Sequence, residues 1–319
     1  MARFIARRLV GMALVLFVVS ILVFLIFNVI PNSPPAQRLA GKNATPVLVK
    51  SIEEEWGFDE PLPSQYLTMM KKVFTNELIQ YSPRLSVEDR IIEGIPATLS
   101  LSIGAGIIWL SFGLLLGYFS ALKAGGWLDR VLTGVSIAGI SIPVFLLAPF
   151  LLYFLTYKTE IFPNAGYVPL TEDPWGWMTH LILPWFTVAV LSIGFYSRVL
   201  RSNMLDVMNE DYVRTARAKG LSERKVMTRH VLRNSLIPII TLFGLDFGAT
   251  VAGTAIIAES IFSIEGVGYY AAESIKKLEL PPIMGITLYG AFFVVFINAL
   301  VDVAYAYLDP RVRIGESAG

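Results

Sequence analysis

The chain has 319 residues, of which 55% are hydrophobic, a mean hydropathy of +0.61 and a net charge of +1. Its apolar residues come in long uncharged runs, which are typical of membrane spans rather than of one buried core. Because there is no cysteine, and only His180 and His230 are histidines, the sequence excludes disulfides, thiolate catalysis and metal sites built from cysteine or histidine clusters.

The first apolar run covers residues 9–30 and follows Arg3, Arg7 and Arg8. It is long enough to cross a bilayer, and no small-x-small cleavage site closes it. We therefore predict an uncleaved first span whose basic start keeps the N-terminus in the cytoplasm. Residues 1–35 form this N-terminal region, which ends at prolines that cannot continue a helix.

Residues 36–94 change to a mixed composition with clusters of both acidic and basic side chains. Charge at this density does not belong in a membrane span. We predict a small extracytoplasmic subdomain here, made of short helices packed around Trp56, Phe58, Tyr66 and Leu67.

Five further apolar runs complete an all-α integral membrane protein with six transmembrane helices. These runs are residues 95–122, 131–157, 174–197, 234–258 and 283–308. The first of the five is rich in glycine, which lets membrane helices approach closely. Pro143 and Pro149 predict a kink in the next one. Together, residues 95–308 form a core of five helices.

The distribution of basic residues predicts the orientation of these helices. The segments assigned to the inside hold most of the 26 Lys and Arg residues, although they are the shorter ones. By the positive-inside rule, both termini are cytoplasmic, including a tail at residues 309–319. The loop at residues 201–235 is cytoplasmic as well.

Residues 211–238, called the elbow below, interrupt the membrane pattern with a strongly basic stretch of helical spacing. Asn209 is the predicted N-cap of its first helix, because a free side-chain oxygen can accept from the exposed amides of the first turn. Glu210 would then favour the positive end of the helix dipole and pair with Arg214 four residues later.

The middle of the elbow is narrow. Thr215, Ala216 and Ala218 are small, and Gly220 stands where a left-handed residue ends a helix. Ser222 is the predicted cap of a second helix. A basic loop attracted to anionic lipid would account for the charge alone. The capped corner of small residues favours close docking into a cleft of a protein partner.

The elbow carries a resemblance to a known family. Arg214-Thr215-Ala216, followed after three residues by Gly220, resembles the E-A-A-x-x-x-G loop of ATP-binding-cassette importer permeases, with Arg214 in place of Glu. Longer strings resemble the dipeptide, oligopeptide and nickel branch, and in particular the B-type subunit of a peptide permease. These strings are residues 4–8, 57–66, 210–222, 229–238 and 302–311.

The resemblance implies a type I importer permease fold, in which the short helix at residues 211–220 docks into a groove of a separate ATPase. The residues that it assigns to ATPase coupling are Asp211, Arg214, Thr215, Ala216, Gly220, Leu221 and Ser222. It also implies a second homologous permease subunit, one or two ATPases and an extracytoplasmic solute-binding protein. The setting is the plasma (inner) membrane of a bacterium or archaeon, and we expect no nucleic-acid partner.

The chain itself has no recognisable nucleotide site. No G-x-x-x-x-G-K-[ST] string occurs in the sequence, so it cannot cradle a triphosphate by that route. We therefore expect a transport subunit that is not an enzyme and binds no cofactor. The resemblance places ATP and Mg²⁺ on the partner subunits.

Polar side chains at membrane depth are the candidates for a translocation pathway, because such groups are costly in a bilayer. They are Asp246, Asn298 and Asp302. Asp246 lies near the middle of its span and could line the path or bond a neighbouring helix. Asn298 and Asp302 could equally anchor the last helix.

Two other classes of function start from the same residues. Asp246 and Asp302, with Glu259, could form the proton relay of a self-sufficient secondary transporter, which would predict an inverted repeat that the sequence does not show. A membrane scaffold without transport would not need the narrow corner at Ala216 and Gly220. The resemblance favours di- or oligopeptides as substrates, while nickel, glutathione and oligosaccharides also occur in the branch.

Overall fold

The computed structural model describes residues 2–30, 34–41, 44–81 and 84–308, which divide into two compact units. The first unit holds the chain up to Leu99 together with Gly248–Ala299. The second holds Ser100–Phe247 and the chain from Leu300 onward. Segment 36–94 thus shares its unit with a later part of the chain, and the predicted boundary at residue 94 stays a prediction.

The part of the chain up to α5 is a series of helices followed by one short hairpin. The elements are α1 (Ala2–Phe24, continued by a π-helical turn at Leu25–Val29), α2 (Pro35–Leu39), α3 (Pro46–Trp56), α4 (Leu62–Phe74), β1 (Ile79–Tyr81), β2 (Arg84–Ser86) and α5 (Val87–Leu122). The strands are antiparallel with Gln80 opposite Leu85. Local signals explain α3, because Thr45 caps its first turn and Gly57 ends it at a φ of 64°.

The core of the first unit lies between these short helices and residues of the later segment Gly248–Ala299. Its fully buried side chains include Ile52, Trp56, Met69, Leu78, Val267 and Met284. Trp56 donates a 2.7 Å hydrogen bond to the hydroxyl of Tyr81, and Phe58 stacks on its ring. The predicted cluster is therefore confirmed for Trp56, Phe58 and Tyr66. It is wrong for Leu67, which is 66% exposed because it lies on the opposite face of α4.

The remaining elements continue through the second unit and return to the first. They are α6 (Trp127–Ser141), α7 (Val144–Leu151, continued by a π-helical segment at Leu152–Lys158), α8 (Pro174–Met208), α9 (Asp211–Ala218), α10 (Glu223–Lys225), a π-helical segment at Val226–Leu232, α11 (Arg233–Ser235), α12 (Ile237–Ala249, with a π-helical turn at Thr250–Thr254), α13 (Ile256–Ile261), α14 (Val267–Lys277) and α15 (Leu280–Leu308).

Among the described residues, five helical segments are long and apolar enough to cross a membrane, and a bent pair brings the number to six when it is counted as one span. The five are Ala6–Val29, Val87–Leu122, Pro174–Met208, Ile237–Thr254 and Leu280–Val301. The pair Trp127–Ser141 and Val144–Lys158 bends by 95°. The prediction of six spans agrees with this count, and the predicted kink lies at Pro143.

The break at Pro143 has a local cause. Ile142, which precedes the proline, has an extended backbone with a ψ of 112°, because a residue before proline is disfavoured in helix. Pro143 then stands at the start of α7. Pro149 lies inside α7 without ending it, so only one of the two predicted prolines breaks the span.

The fifth span is shorter than its prediction of residues 234–258. Gly253 has a φ of 153°, a conformation that only glycine adopts readily, and the helix ends there. Glu259 consequently belongs to the separate short helix α13.

Glycines in α5 allow the close packing predicted for them within the second unit. A Cβ at Gly113 would lie 2.8 Å from the Cβ of Tyr196, and one at Gly117 would lie 2.6 Å from the carbonyl oxygen of Ser197. Larger residues at these positions would push α5 away from α8.

Candidate functional site

The elbow folds as helix, corner and helix, as predicted. Helix α9 ends near Lys219, and Gly220 turns the chain with a φ of 79°. A Cβ at Gly220 would meet no atom within 4 Å, so glycine is required here for its backbone angle and not for space. The chain then re-enters helical structure at Glu223.

The caps of the elbow differ from the prediction at its start. Helix α8 runs to Met208 and takes Asn209 as its C-cap, so the N-cap of α9 is Glu210, with an extended ψ of 145°. The side chain of Asn209 instead donates to the carbonyl of Leu205 at 3.0 Å. The N-cap prediction for Asn209 is therefore wrong. Ser222 does occupy the N-cap position of α10, although its hydroxyl makes no capping hydrogen bond.

An ion pair across the corner joins the two arms of the elbow. The guanidinium of Arg217 donates to both carboxylate oxygens of Glu223, at 3.1 Å and 2.9 Å. These hydrogen bonds lower the pKa of Glu223 and raise that of Arg217. Arg214 lies 3.5 Å from Asp211 rather than pairing with Glu210, because Glu210 precedes the first helical turn.

The elbow has a buried face and an exposed face. Val213 and Ala216 are 0% and 6% exposed, and α9 packs through them against the returning segment, where Val226 and Met227 are also buried. Six of the seven residues assigned to coupling are not buried. Asp211, Arg214, Thr215, Gly220 and Ser222 are exposed, and Leu221 is half-buried. Ala216 alone is inside, so its small size serves the packing of the elbow itself.

Two polar contacts brace the returning arm of the elbow. The amide of Asn234 donates to the hydroxyl of Tyr212 at 2.9 Å, which joins α11 to α9. The amide of Asn203 in α8 donates to the carbonyl of Ser235 at 3.3 Å. The first contact therefore holds the two arms of the elbow together, and the second braces the returning arm against α8, which leads into the elbow.

An ion pair with a buried carboxylate lies near the end of α8 that leads to the elbow, and the sequence does not predict it. Arg201 donates through Nε and Nη2 to the two carboxylate oxygens of Asp129, both at 2.7 Å. Ser120 and the backbone N–H of Gly125 also donate to this carboxylate. The ends of α5, α6 and α8 thus meet at one anion. The only sequence signal is a lone acid in an otherwise basic turn.

Asp246 is engaged with a neighbouring helix. The hydroxyl of Tyr196 in α8 donates to its Oδ2 at 2.7 Å, and Asp246 itself is half-buried. Of the two alternatives for this residue, the bond to a neighbouring helix is present. A role in lining the path remains a prediction.

The other two pathway candidates lie on α15. Asn298 is half-buried in the part of this helix that belongs to the first unit. The backbone of Asp302 is helical, and its side chain lies outside the described residues. The predicted cytoplasmic tail at residues 309–319 lies outside them too.

Glu259 is fully buried and caps a helix in the first unit. Its carboxylate accepts from the hydroxyl of Thr98 and from the backbone N–H of Tyr269, both at 2.8 Å, and from that of Gly268. The same Thr98 hydroxyl accepts from the N–H of Val267 at 2.9 Å. The two side chains therefore satisfy the first amides of α14. Burial raises the pKa of Glu259 to about 7, against the opposing effect of these donors.

These observations define a class of protein. The spans are those of a polytopic membrane protein, and the elbow between α8 and α12 gives it a braced corner with an exposed face. The chain belongs to the family described as binding-protein-dependent transport system inner membrane component, which matches residues 113–314. The N-terminal component of the same family matches residues 1–102. The chain is therefore a membrane transport subunit that works with an ATPase and a substrate-binding protein.

Relatives match almost the whole chain. A peptide transport system permease protein of Brucella abortus (strain 2308) is 36% identical over 314 residues, covering 98% of this chain and 99% of the relative. The dipeptide transport system permease protein DppB of Bacillus subtilis is 35% identical with the same coverage. The glutathione transport system permease protein GsiC of Escherichia coli O6:H1 is 32% identical, again over 98% and 99%. The resemblance stated from the sequence is confirmed.

Solved structures show the same fold. The MetNI methionine ABC transporter in an inward-facing conformation matches with a TM-score of 0.53. The match covers 69% of this chain and 96% of the other, at 14% sequence identity. At that identity the likeness bears on the fold alone, and it confirms the predicted type I importer permease fold.

Proposed function

We propose that this chain forms half of the translocation pathway of an ATP-driven peptide importer and receives the power stroke at the exposed face of the elbow. The observation that carries the proposal is the geometry of that face. Gly220 presents a sharp corner, and the ion pair between Arg217 and Glu223 fixes the two arms beside it. A partner that moves such a corner moves both arms together.

The buried face of the elbow supports this reading over attraction to lipid. Val213 and Ala216 hold α9 against the returning segment, so that the exposed side chains project from a folded surface. Lipid attraction requires charge and no fixed corner. Docking into a groove of an ATPase requires a surface of fixed shape. The elbow supplies such a surface, on which Asp211, Thr215 and Gly220 are exposed.

The route for motion runs through α8. This helix ends at Met208, immediately before the elbow, and Arg201 within its last two turns holds Asp129 at the start of α6. A displacement of the elbow is thereby passed to α6, and through Ser120 to α5. Asp246, Asn298 and Asp302 remain the proposed pathway residues.

The finer assembly is also part of the proposal. A second homologous permease subunit completes the pathway, one or two ATPases dock on the elbows, and a solute-binding protein delivers the substrate on the opposite side. Both termini and the elbow are cytoplasmic. ATP and Mg²⁺ bind to the partner subunits, because this sequence holds no P-loop string. Peptide substrates are supported by the names of the relatives.

Reconstitution tests the proposal. The chain is placed in vesicles with its second permease subunit and candidate ATPases, and uptake of a labelled di- or oligopeptide is followed with the binding protein outside. We expect uptake that requires ATP. Uptake driven by a proton gradient in the absence of ATPase would contradict the proposal and favour the secondary transporter built on Asp246 and Asp302.

A further inference from the structure

Helix α4 has an apolar stripe that none of the described residues of its own unit covers. Its inner face holds the buried side chains of Gln65, Met69 and Lys72. On the other face, Leu67 is 66% exposed and Phe74 is 80% exposed. These two residues are seven positions apart, which is two turns of helix, so they share one face. Met70, half-buried, lies between them.

This helix lies alongside the first membrane span. The hydroxyl of Tyr66 in α4 is 2.7 Å from the hydroxyl of Ser20 in α1. The ring of Tyr66 also meets Phe17 and Phe24 edge-on, with centroids 6.4 Å and 5.6 Å away. The contacts of Tyr66 therefore extend over two turns of α1, from Phe24 at its C-terminal end back to Phe17.

The position of Ser20 sets the depth of α4. The span Ala6–Val29 has 24 residues. At a rise of 1.5 Å per residue it is about 36 Å long, against about 30 Å for the hydrocarbon core. When the span is centred, Ser20 lies about 10 Å inside the boundary at the Val29 end. Because one tyrosine side chain bridges from α4 to Ser20, the axis of α4 cannot lie far out in water.

We propose that α4 is an interfacial helix, with Leu67 and Phe74 inserted among the acyl chains of the leaflet at the Val29 end of α1. The occupant of the stripe is lipid, because Tyr66 holds α4 beside α1 at a level inside the hydrocarbon core. Along α1, the residues exposed at every fourth position are Leu14, Val18, Leu22 and Ile26, each about half-exposed or more. Such a helix buries its apolar face about 5–10 Å into the headgroup and acyl boundary.

Lys71 fits this placement. It lies on the exposed side of α4, one turn from both Leu67 and Phe74. A lysine stem can run along the acyl boundary while its ammonium group reaches the phosphate layer. The segment predicted as a purely extracytoplasmic subdomain would then be partly embedded, and α4 would brace α1 within the membrane.

Nitroxide accessibility tests this inference. The chain contains no cysteine, so single substitutions Leu67→Cys and Phe74→Cys give unique labelling sites without background. Both side chains are largely exposed, and their replacement removes little packing. Leu14→Cys in α1 is the lipid reference, and Glu54→Cys, exposed on α3, is the aqueous control.

The full chain is reconstituted in vesicles of phosphatidylethanolamine and phosphatidylglycerol, and collision with oxygen is compared with collision with a nickel chelate. We expect labels at positions 67 and 74 to behave as at 14, colliding more often with oxygen, while position 54 shows the reverse. Preferential collision with the nickel chelate at 67 and 74 would overturn the inference. So would a loss of nickel access there only after the second permease subunit or the binding protein is added, because the stripe would then be a protein interface.

Discussion

Arg201 donates two hydrogen bonds of 2.7 Å to the carboxylate of Asp129, and this pair joins α8 to α6 where α8 approaches the elbow. The Asp129 side chain is 6% exposed, whereas that of Arg201 is 30% exposed. Removing Arg201 alone is costly, since the buried Asp129 carboxylate would keep its charge and lose its cation. The pair therefore fixes the geometry of the helices that the elbow moves.

Arg201→Met should destabilise the protein because it leaves the buried Asp129 carboxylate without its cation. We expect a loss of about 3 kcal/mol, measured as a lower unfolding midpoint of the purified chain in detergent. The double variant Asp129→Leu with Arg201→Met removes both charges and should recover part of that loss, because Ser120 and the backbone N–H of Gly125 still lose their acceptor. Lys277→Gln breaks an exposed pair with Glu273 and serves as the control, with an expected change below about 1 kcal/mol. Equal losses in the single and double variants would contradict a specific pair.

Gly220→Glu should weaken the association with the ATPase. The side chain has room, but the φ of 79° strains a non-glycine residue by about 1 kcal/mol, and the new carboxylate projects from the docking corner. We expect co-purification of the ATPase to fall at least about tenfold, which corresponds to about 1.4 kcal/mol. Gly220→Asn is the matched control, because asparagine tolerates this backbone angle and carries no charge. Wild-type recovery of the ATPase with the Glu variant would count against docking at Gly220.

Ala216 is a poor position at which to test docking. Ala216 is buried between α9 and the returning segment, so Ala216→Arg would disrupt the fold of the elbow itself, whether or not a partner binds. Loss of ATPase binding by that variant would therefore report on folding, and the exposed Gly220 gives the cleaner experiment.

Arg217→Ala should loosen the corner without unfolding the protein. Both partners of the Arg217–Glu223 pair are exposed, so the stability change should stay below about 1 kcal/mol. Peptide uptake per ATP hydrolysed should fall, because the two arms no longer move as one. The swapped variant Arg217→Glu with Glu223→Arg should regain part of the coupling. Unchanged coupling in Arg217→Ala would show that backbone packing alone holds the corner.

The features that sequence predicted well are those with a local physical cause. The apolar runs predict the spans, Pro143 predicts the bend and Gly220 predicts the corner. Each of these effects depends only on the residue's own backbone or on its neighbours in sequence. The predicted N-cap at Asn209 is wrong because α8 continues as far as Met208, so that Asn209 is the C-cap of α8 and α9 starts one residue later.

The features that sequence missed depend on partners far along the chain. Asp129 and Arg201 are 72 residues apart, and Thr98 and Glu259 are 161 apart. Composition shows each acidic residue only as an isolated charge. It therefore gives no role to Asp129 in its basic turn, and it suggests a proton relay for Glu259. Ala216 shows the same limit, because a small residue is equally consistent with a docking surface and with a buried contact until the fold is known.

Tyr196→Phe and Asp246→Asn separate the two roles of Asp246. Tyr196→Phe removes only the 2.7 Å hydrogen bond to the carboxylate, at an expected cost of about 1–2 kcal/mol in stability. Asp246→Asn also removes the charge from the bilayer region. If Asp246 lines the path, only Asp246→Asn should change substrate-stimulated ATP turnover or peptide preference in the reconstituted importer. Normal turnover and preference in both variants would leave Asp246 as a helix-bonding residue.

Glu259 predicts a pH dependence of stability. Its folded pKa of about 7 is above the ordinary value of 4.5, because burial penalises the charged form. The folded protein therefore holds a proton that the unfolded chain releases between these values. The stabilisation is fully present below about pH 4.5 and is lost as the pH rises to about 7, with a total of about 3 kcal/mol.

The unfolding midpoint of the full chain in detergent, measured from pH 5 to pH 8, checks this expectation. The wild type should lose stability as the pH rises, and Glu259→Gln should flatten the profile because its amide cannot ionise. Glu265→Gln changes an exposed acid nearby and should retain the wild-type slope. A Glu259→Gln variant that loses as much stability as the wild type over this range would assign the slope to other groups. Its helix-capping role would then be independent of its charge.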